Sequence, residues 1–148
     1  MSGPAAHEVA AELEAIRQLK ARYFRLLDGQ DWDGLLHVFC DRVEIDVSAD
    51  GAGVQHDPVA FVDGVRRALA GAVSVHQGSM PELELTAVDT ASGVWAMEDR
   101  IWFPDGSPVR RLHGWGHYHE RYAKGPDGWR IAAMRLTRLR REVDHGDG

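Results

Sequence analysis

The groups in this sequence best suited to move a proton are His76 and two carboxylates, Asp28 and Asp99. A carboxylate beside an imidazole fixes the ring tautomer and leaves the other nitrogen to take up and return a proton near neutral pH. Asp99 carries the clearer signal. In the run Val94 to Phe103 the odd positions are Trp95, Met97, Asp99, Ile101 and Phe103, and the even ones are Val94, Ala96, Glu98, Arg100 and Trp102. A strand alternates its faces, and the odd set is the more apolar, so it faces the core with Asp99 in its middle. A carboxylate there must be paired, hydrogen-bonded or protonated. His76 lies in a short strand-like run, Val73 to Met80. Alone it reads as a hydrogen-bonded structural histidine. With Asp99 it forms an acid/base pair, provided the two strands stand side by side with both side chains inward.

Tyr23 and Asp28 come from an earlier element. Val9, Leu13, Ile16, Leu19, Tyr23 and Leu27 recur at helical steps from about His7 to Asp28. Tyr23 is on that stripe, but a five-residue gap sets Asp28 about 140° away from it. They share a site only if the helix end points into a cavity. The plain alternative is a core tyrosine and a solvated aspartate. An Asp at a helix C-terminus is electrostatically disfavoured, which hints at another reason for its presence.

His113, His117 and His119 share one side of a later strand with Trp115 and Arg121, while Gly114, Gly116, Tyr118, Glu120 and Tyr122 take the other. Three alternating histidines invite a metal. No helical H-x-x-x-H pair or facial triad accompanies them, so no metal is expected, and His117 is kept only as a further pocket residue. Cys40 is the only cysteine, which excludes an internal disulfide and reads as a small buried hydrophobe.

The elements that must position these groups follow in order. Gly29 stops the first helix by taking the left-handed conformation. Asp31 caps a short second helix with Trp32, Leu35, Leu36 and Phe39 as its buried side. Val43, Ile45 and Val47 alternate as a strand, 50–55 is a glycine-rich loop, and Asp57-Pro58 opens a third helix with Phe61, Val62, Val65 and Leu69 inward. After Gly71 come five strand-like stretches, at about 73–79, 82–89, 93–103, 109–123 and 128–140, separated by Met80-Pro81, Ser92-Gly93, Pro104-Asp105-Gly106 and Gly125-Pro126-Asp127-Gly128. Helices first and an antiparallel run afterwards indicate an α+β fold. The sheet curves around the first helix and encloses a conical space. A single domain spans 1–148, with a core of about 7–140 and short flexible termini.

Composition narrows the function. A net charge of −6, with basic residues concentrated only at Arg135, Arg138, Arg140 and Arg141, argues against nucleic acid. Those arginines read as the solvated end of the last strand. No apolar stretch approaches a membrane span, and the acidic N-terminal segment does not resemble a signal peptide, so the chain reads as cytoplasmic. Trp102, Trp115 and Trp129 are candidates for an aromatic interface patch, and a homo-oligomer, dimer or trimer, is expected. No nucleotide, flavin or metal cofactor is suggested.

The runs LKARYFRLLDGQDWDGLLHVFCDRVEIDVS, VHQGSMPELEL, WAMEDRIWF and GHYHERYAKGPDGWRI, in that order and spacing, resemble a SnoaL-like domain of the nuclear transport factor 2-like superfamily. The resemblance is nearest to the bile acid 7α-dehydratase type, with scytalone dehydratase more distant. It implies the cystatin-like cone and a site of Tyr23, Asp28, His76 and Asp99. It further implies a cofactor-independent dehydratase acting on a small hydrophobic hydroxy-carbonyl compound, steroid- or polyketide-like. His76, oriented by an aspartate, would remove a proton next to the carbonyl, and Tyr23 would hydrogen-bond the enolate oxygen or the departing hydroxyl. Trp95, Met97, Ile101 and Phe103 would supply a dry wall. The same scaffold suits a ketosteroid-isomerase-like proton shuttle or a non-catalytic binding domain.

Overall fold

The computed structural model describes residues 3–147. Helix α1 (Ala6–Asp28) buries Ile16, Leu19, Tyr23 and Leu27, the expected stripe. Its exit differs from expectation. Gly29 stays right-handed at φ −78°, and Gln30 takes the left-handed conformation at φ 56°. Two bonds explain the difference, because the Gln30 side-chain amide donates to the carbonyls of Leu69 and Ala72, each at 3.1 Å. The end of α1, and with it Asp28, is tied to the segment that leads into the sheet.

Helix α2 (Trp32–Leu36) starts at Asp31, whose carboxylate accepts from the Gly34 N–H. Phe39 is not on that helix. It opens strand β1 (Phe39–Asp46) and is fully buried there. The glycine-rich loop contains a 3-10 turn at Ser48–Asp50 and a short strand, β2 (Val54–Gln55). Helix α3 (Pro58–Ala68) is capped by Asp57 with Pro58 in its first turn, as read from the sequence.

The sheet has four long strands after α3 rather than five: β3 (Val73–Ala87), β4 (Thr90–Trp102), β5 (Arg111–Gly125) and β6 (Gly128–Asp144). Met80-Pro81 is a bulge inside β3, not a hairpin. The register slips between Ser79 and Glu82, with Met80 at φ 47°. Ser92-Gly93 lies within β4, opposite Glu84 and Leu83. Both sites differ from the expected hairpins because turn-forming residues also serve bulges and close approaches. The Pro104-Asp105-Gly106 and Gly125–Gly128 turns stand where expected.

Strand order is β2-β1-β6-β5-β4-β3. Every pairing is antiparallel except β1 with β6, so the sheet is mixed. Bulges between Trp115 and Gly116 and between Arg121 and Tyr122 bend β5 and β6. The C-terminal tail is not free from residue 140, since β6 still pairs Asp144 with Arg111. The helices cover the concave face, where the core of α1, β1, β4, β5 and β6 side chains lies. This is the α+β cone that the order of elements indicated. No helix among the described residues is long and apolar enough to cross a membrane.

Candidate active site

In the β3–β4 ladder His76 stands directly opposite Asp99. Opposed residues share a face, so the condition set by the sequence is met. The burial of β4 alternates as read, with Trp95, Met97 and Asp99 all inside.

Asp28, however, is the carboxylate that holds the histidine. Its Oδ1 lies 2.7 Å from His76 Nδ1 and accepts from the Ser74 hydroxyl at 2.9 Å, and its Oδ2 accepts the His76 backbone N–H at 2.7 Å. Three bonds from one strand account for a carboxylate at the unfavourable end of a helix. A carboxylate at Nδ1 holds a proton there, which in the neutral ring leaves the lone pair on Nε2. That nitrogen is 3.9 Å from Asp99 Oδ2, beyond hydrogen-bonding distance.

Asp99 is engaged elsewhere. Arg138 grips it with two bonds, Nη1 to Oδ1 at 2.6 Å and Nη2 to Oδ2 at 3.0 Å, the bidentate geometry that makes guanidinium–carboxylate pairs strong. The same guanidinium reaches Asp50 through Nε at 3.1 Å and Nη2 at 2.9 Å. Arg138 is thus a site residue and not part of a solvated strand end. The signal was present, since Arg138 follows Met134 and Leu136 at two-residue steps and those two are buried. An arginine in phase with apolar residues is as informative as Asp99.

Tyr23 is 4% exposed. Burial holds its phenol well above the usual tyrosine value, the neighbouring Tyr118 hydroxyl works the other way, and the charges of Glu120, Asp28 and Asp99 add to the rise. It therefore stays protonated as a donor. Tyr118 resolves which side of β5 faces in: the Gly114–Tyr122 side is buried.

Tyr23, His76, Asp99, Tyr118 and Arg138 all line one cavity of about 510 Å³. Leu27, Leu35, Phe61, Val65, Leu69, Met134 and Leu136 make its apolar wall, and Asp50, Ala52 and Gln55 form part of its border.

Of the expected wall residues only Ile101 lines this cavity. Trp95 and Met97 instead line a neighbouring pocket with Gln18, Ala21 and Phe24 of α1, which His76 also borders; Trp95 donates to the Tyr122 hydroxyl at 2.9 Å and the Met97 sulfur sits 3.8 Å from Arg138 Nη1. Phe103 lies beyond the end of β4, packed on the core. His117 is on the opposite face of β5 from Tyr118 and points away from the cavity. These differences have one cause: the apolar wall is supplied by the end of α1, by α2, by α3 and by β6, not by successive residues of β4. Trp129 is also core, 6% exposed, whereas Trp102 and Trp115 are on the outer face. Among the described residues no cluster of three or more His, Cys, Asp or Glu side chains is placed to hold a metal.

A family model described as a SnoaL-like domain matches residues 8–135. The chain belongs to the SnoaL-like domain family. Solved structures agree on the nuclear transport factor 2-like fold. The Kfla4162 protein of Kribbella flavida is 23% identical with a TM-score of 0.79, covering 93% of this chain and 95% of its own. A provisional scytalone dehydratase of Novosphingobium aromaticivorans is 16% identical at TM-score 0.81, covering 93% and 91%. The hexachlorocyclohexane dehydrochlorinase LinA-type3 of Novosphingobium barchaimii is 16% identical at TM-score 0.79, covering 97% of each. At such identities the likeness shows how the SnoaL-like domain folds and leaves its chemistry to be argued from the site.

Proposed function

We propose that this SnoaL-like domain is a cofactor-independent dehydratase for a small hydrophobic hydroxy-carbonyl compound, steroid- or polyketide-like. The observation that carries the reading is His76, clamped at Nδ1 by Asp28 with Nε2 free at the cavity. That nitrogen takes the proton from the carbon next to the carbonyl; the C–H electrons form the C=C bond of the enolate and the carbonyl π electrons move onto its oxygen. Tyr23 donates to that oxygen as charge develops. The enolate then expels the neighbouring hydroxyl, which leaves as water with the proton held on His76. Nothing is oxidised or reduced, and the imidazole is regenerated.

Asp99 and Arg138 form the polar wall beside this reaction. Because Asp99 is bound to Arg138 through both oxygens, we assign the base to His76 and give Asp99 an electrostatic part. The two names among the structural relatives that describe eliminations, of water in one and of hydrogen chloride in the other, are compatible with this chemistry. An isomerase on the same scaffold would return the proton to another carbon instead.

The test is a mass-resolved screen of steroid and polyketide hydroxy-ketones with wild-type protein and His76→Ala. Loss of one water in the wild type and at least about a 10²-fold lower rate in the variant is the expected result. An undiminished rate in the variant sinks the assignment, and a product of unchanged mass favours isomerisation.

A further inference from the structure

The mechanism leaves one ionisable group unexplained, a lysine with no exposed surface. Lys20 and Glu120 are paired at 2.8 Å, and both side chains are 0% exposed. Lys20 lies on the buried stripe of α1 between Ile16 and Tyr23. Its ammonium sits 3.9 Å from the centroid of the Tyr23 ring and 3.8 Å from that of Tyr118, with Phe24 at 4.8 Å. Among the described residues its only other hydrogen-bond partner is the Met134 sulfur, at 4.0 Å. Glu120 is completed on its far side by Tyr122, whose hydroxyl donates at 2.7 Å and accepts from Trp95 Nε1 at 2.9 Å.

A buried ion pair is seldom better for stability than apolar residues of the same shape. Here the cation rests on the faces of the two phenols that line the cavity beside His76 and Asp99. A cation on an aromatic face is attracted by the ring electrons and draws density from the ring, which stabilises negative charge growing on the phenol oxygen. The geometry points to Lys20–Glu120 as a positioning pair that strengthens the Tyr23 and Tyr118 hydroxyls as donors to an oxyanion in the cavity. Glu120 keeps the pair neutral and fixes the ammonium beneath the rings, so the field acts at short range on those two hydroxyls. The role deepens the proposed enolate chemistry and rests on it.

The experiment uses the double variant Lys20→Met/Glu120→Gln, which conserves volume and leaves neither partner as an unpaired buried charge. The chain has only three tyrosines, so tyrosine labelled at the ring carbon bearing oxygen gives three resonances, assigned with Tyr→Phe variants. The Tyr23 and Tyr118 resonances should move in the double variant while far-ultraviolet circular dichroism is unchanged. Binding is then measured with 2-naphthol, whose ionised form mimics an enolate, and with naphthalene as the neutral shape control. Naphtholate affinity should fall about 30-fold, the size of a desolvated cation–π effect, with naphthalene affinity unchanged.

Unmoved tyrosine resonances, or equal losses for both probes, overturn the role and leave the pair structural. If wild-type protein binds naphthalene but does not prefer naphtholate, no donor strengthening exists and the role also fails. If neither probe binds, the enolate reading of the cavity fails. The resonances alone then judge the influence of Lys20 on the rings.

Discussion

At the scale of single residues, the division of labour between Asp28 and Asp99 was the least legible part of the site. Both carboxylates stand close to His76, and the sequence singled out Asp99 because it interrupts an apolar alternation. Asp28 gave only the weaker hint of a carboxylate at the unfavourable end of a helix, because a helix-terminal aspartate looks solvent-exposed until the chain folds back over it. What buries it is β3, which supplies three donors from Ser74 and His76. Replacing Asp28 with Asn keeps the shape and allows the amide to donate to the ring, which favours the wrong tautomer. Turnover should fall by about 10²–10⁴-fold, comparable to tautomer loss in other imidazole bases. Adding Asp28→Asn to His76→Ala should cost little more than His76→Ala alone, because the two act as a unit. Additive losses in the measured rates would mean that Asp28 acts on the substrate directly.

At the scale of elements, the starts of α2 and α3 were legible because their caps are explicit: Asp31 and Asp57 each bind a backbone N–H of the first turn. The strands were harder. Met80-Pro81 and Ser92-Gly93 carry turn chemistry yet lie inside β3 and β4, the first at a bulge and the second where a Cβ on Gly93 would strike the Leu83 side chain. The glycines of β5 have a comparable role. A Cβ on Gly116 would strike the Thr137 carbonyl, so its absence lets β6 close in at the bulge that leads to Arg138. A Cβ on Gly114 would lie 2.5 Å from Asp99 Oδ1 and press on the Arg138 guanidinium. The Asp99–Arg138 pair thus requires glycine on the strand between them. Gly114→Ala should destabilise the fold by about 1–3 kcal/mol, as overpacking does, and lower turnover as Asp99 is displaced. Gly125→Ala is the control, since nothing lies within 4 Å of its Cβ position. Denaturant unfolding compares the two, and equal midpoints would show that the pair moves aside without cost.

At the scale of the whole molecule, the interior holds every tyrosine the chain possesses. Tyr23, Tyr118 and Tyr122 are all at most 4% exposed, and burial above all raises each phenol well beyond the ordinary tyrosine value. The sign of the consequence follows from proton counting. Below about pH 10 both folded and unfolded chains keep these protons, and above it only the unfolded chain releases them. The stability these groups contribute is therefore complete below that pH and lost as pH rises beyond it. Each group multiplies the unfolding constant by about ten per pH unit. Lys20 works with the opposite sign, because burial lowers its value, so the folded chain releases that proton first. Its offset ends once the unfolded chain's lysine also deprotonates, at about pH 10.4. The slope should steepen from there toward three protons. Tyrosinate absorbance and loss of the helical circular dichroism should then rise together in one cooperative alkaline transition. A gradual tyrosinate signal with the helical signal intact would show that at least one phenol ionises in the folded state. If that phenol were Tyr23, the donor that the proposed dehydration needs would be absent at high pH, and turnover would fall along the same titration.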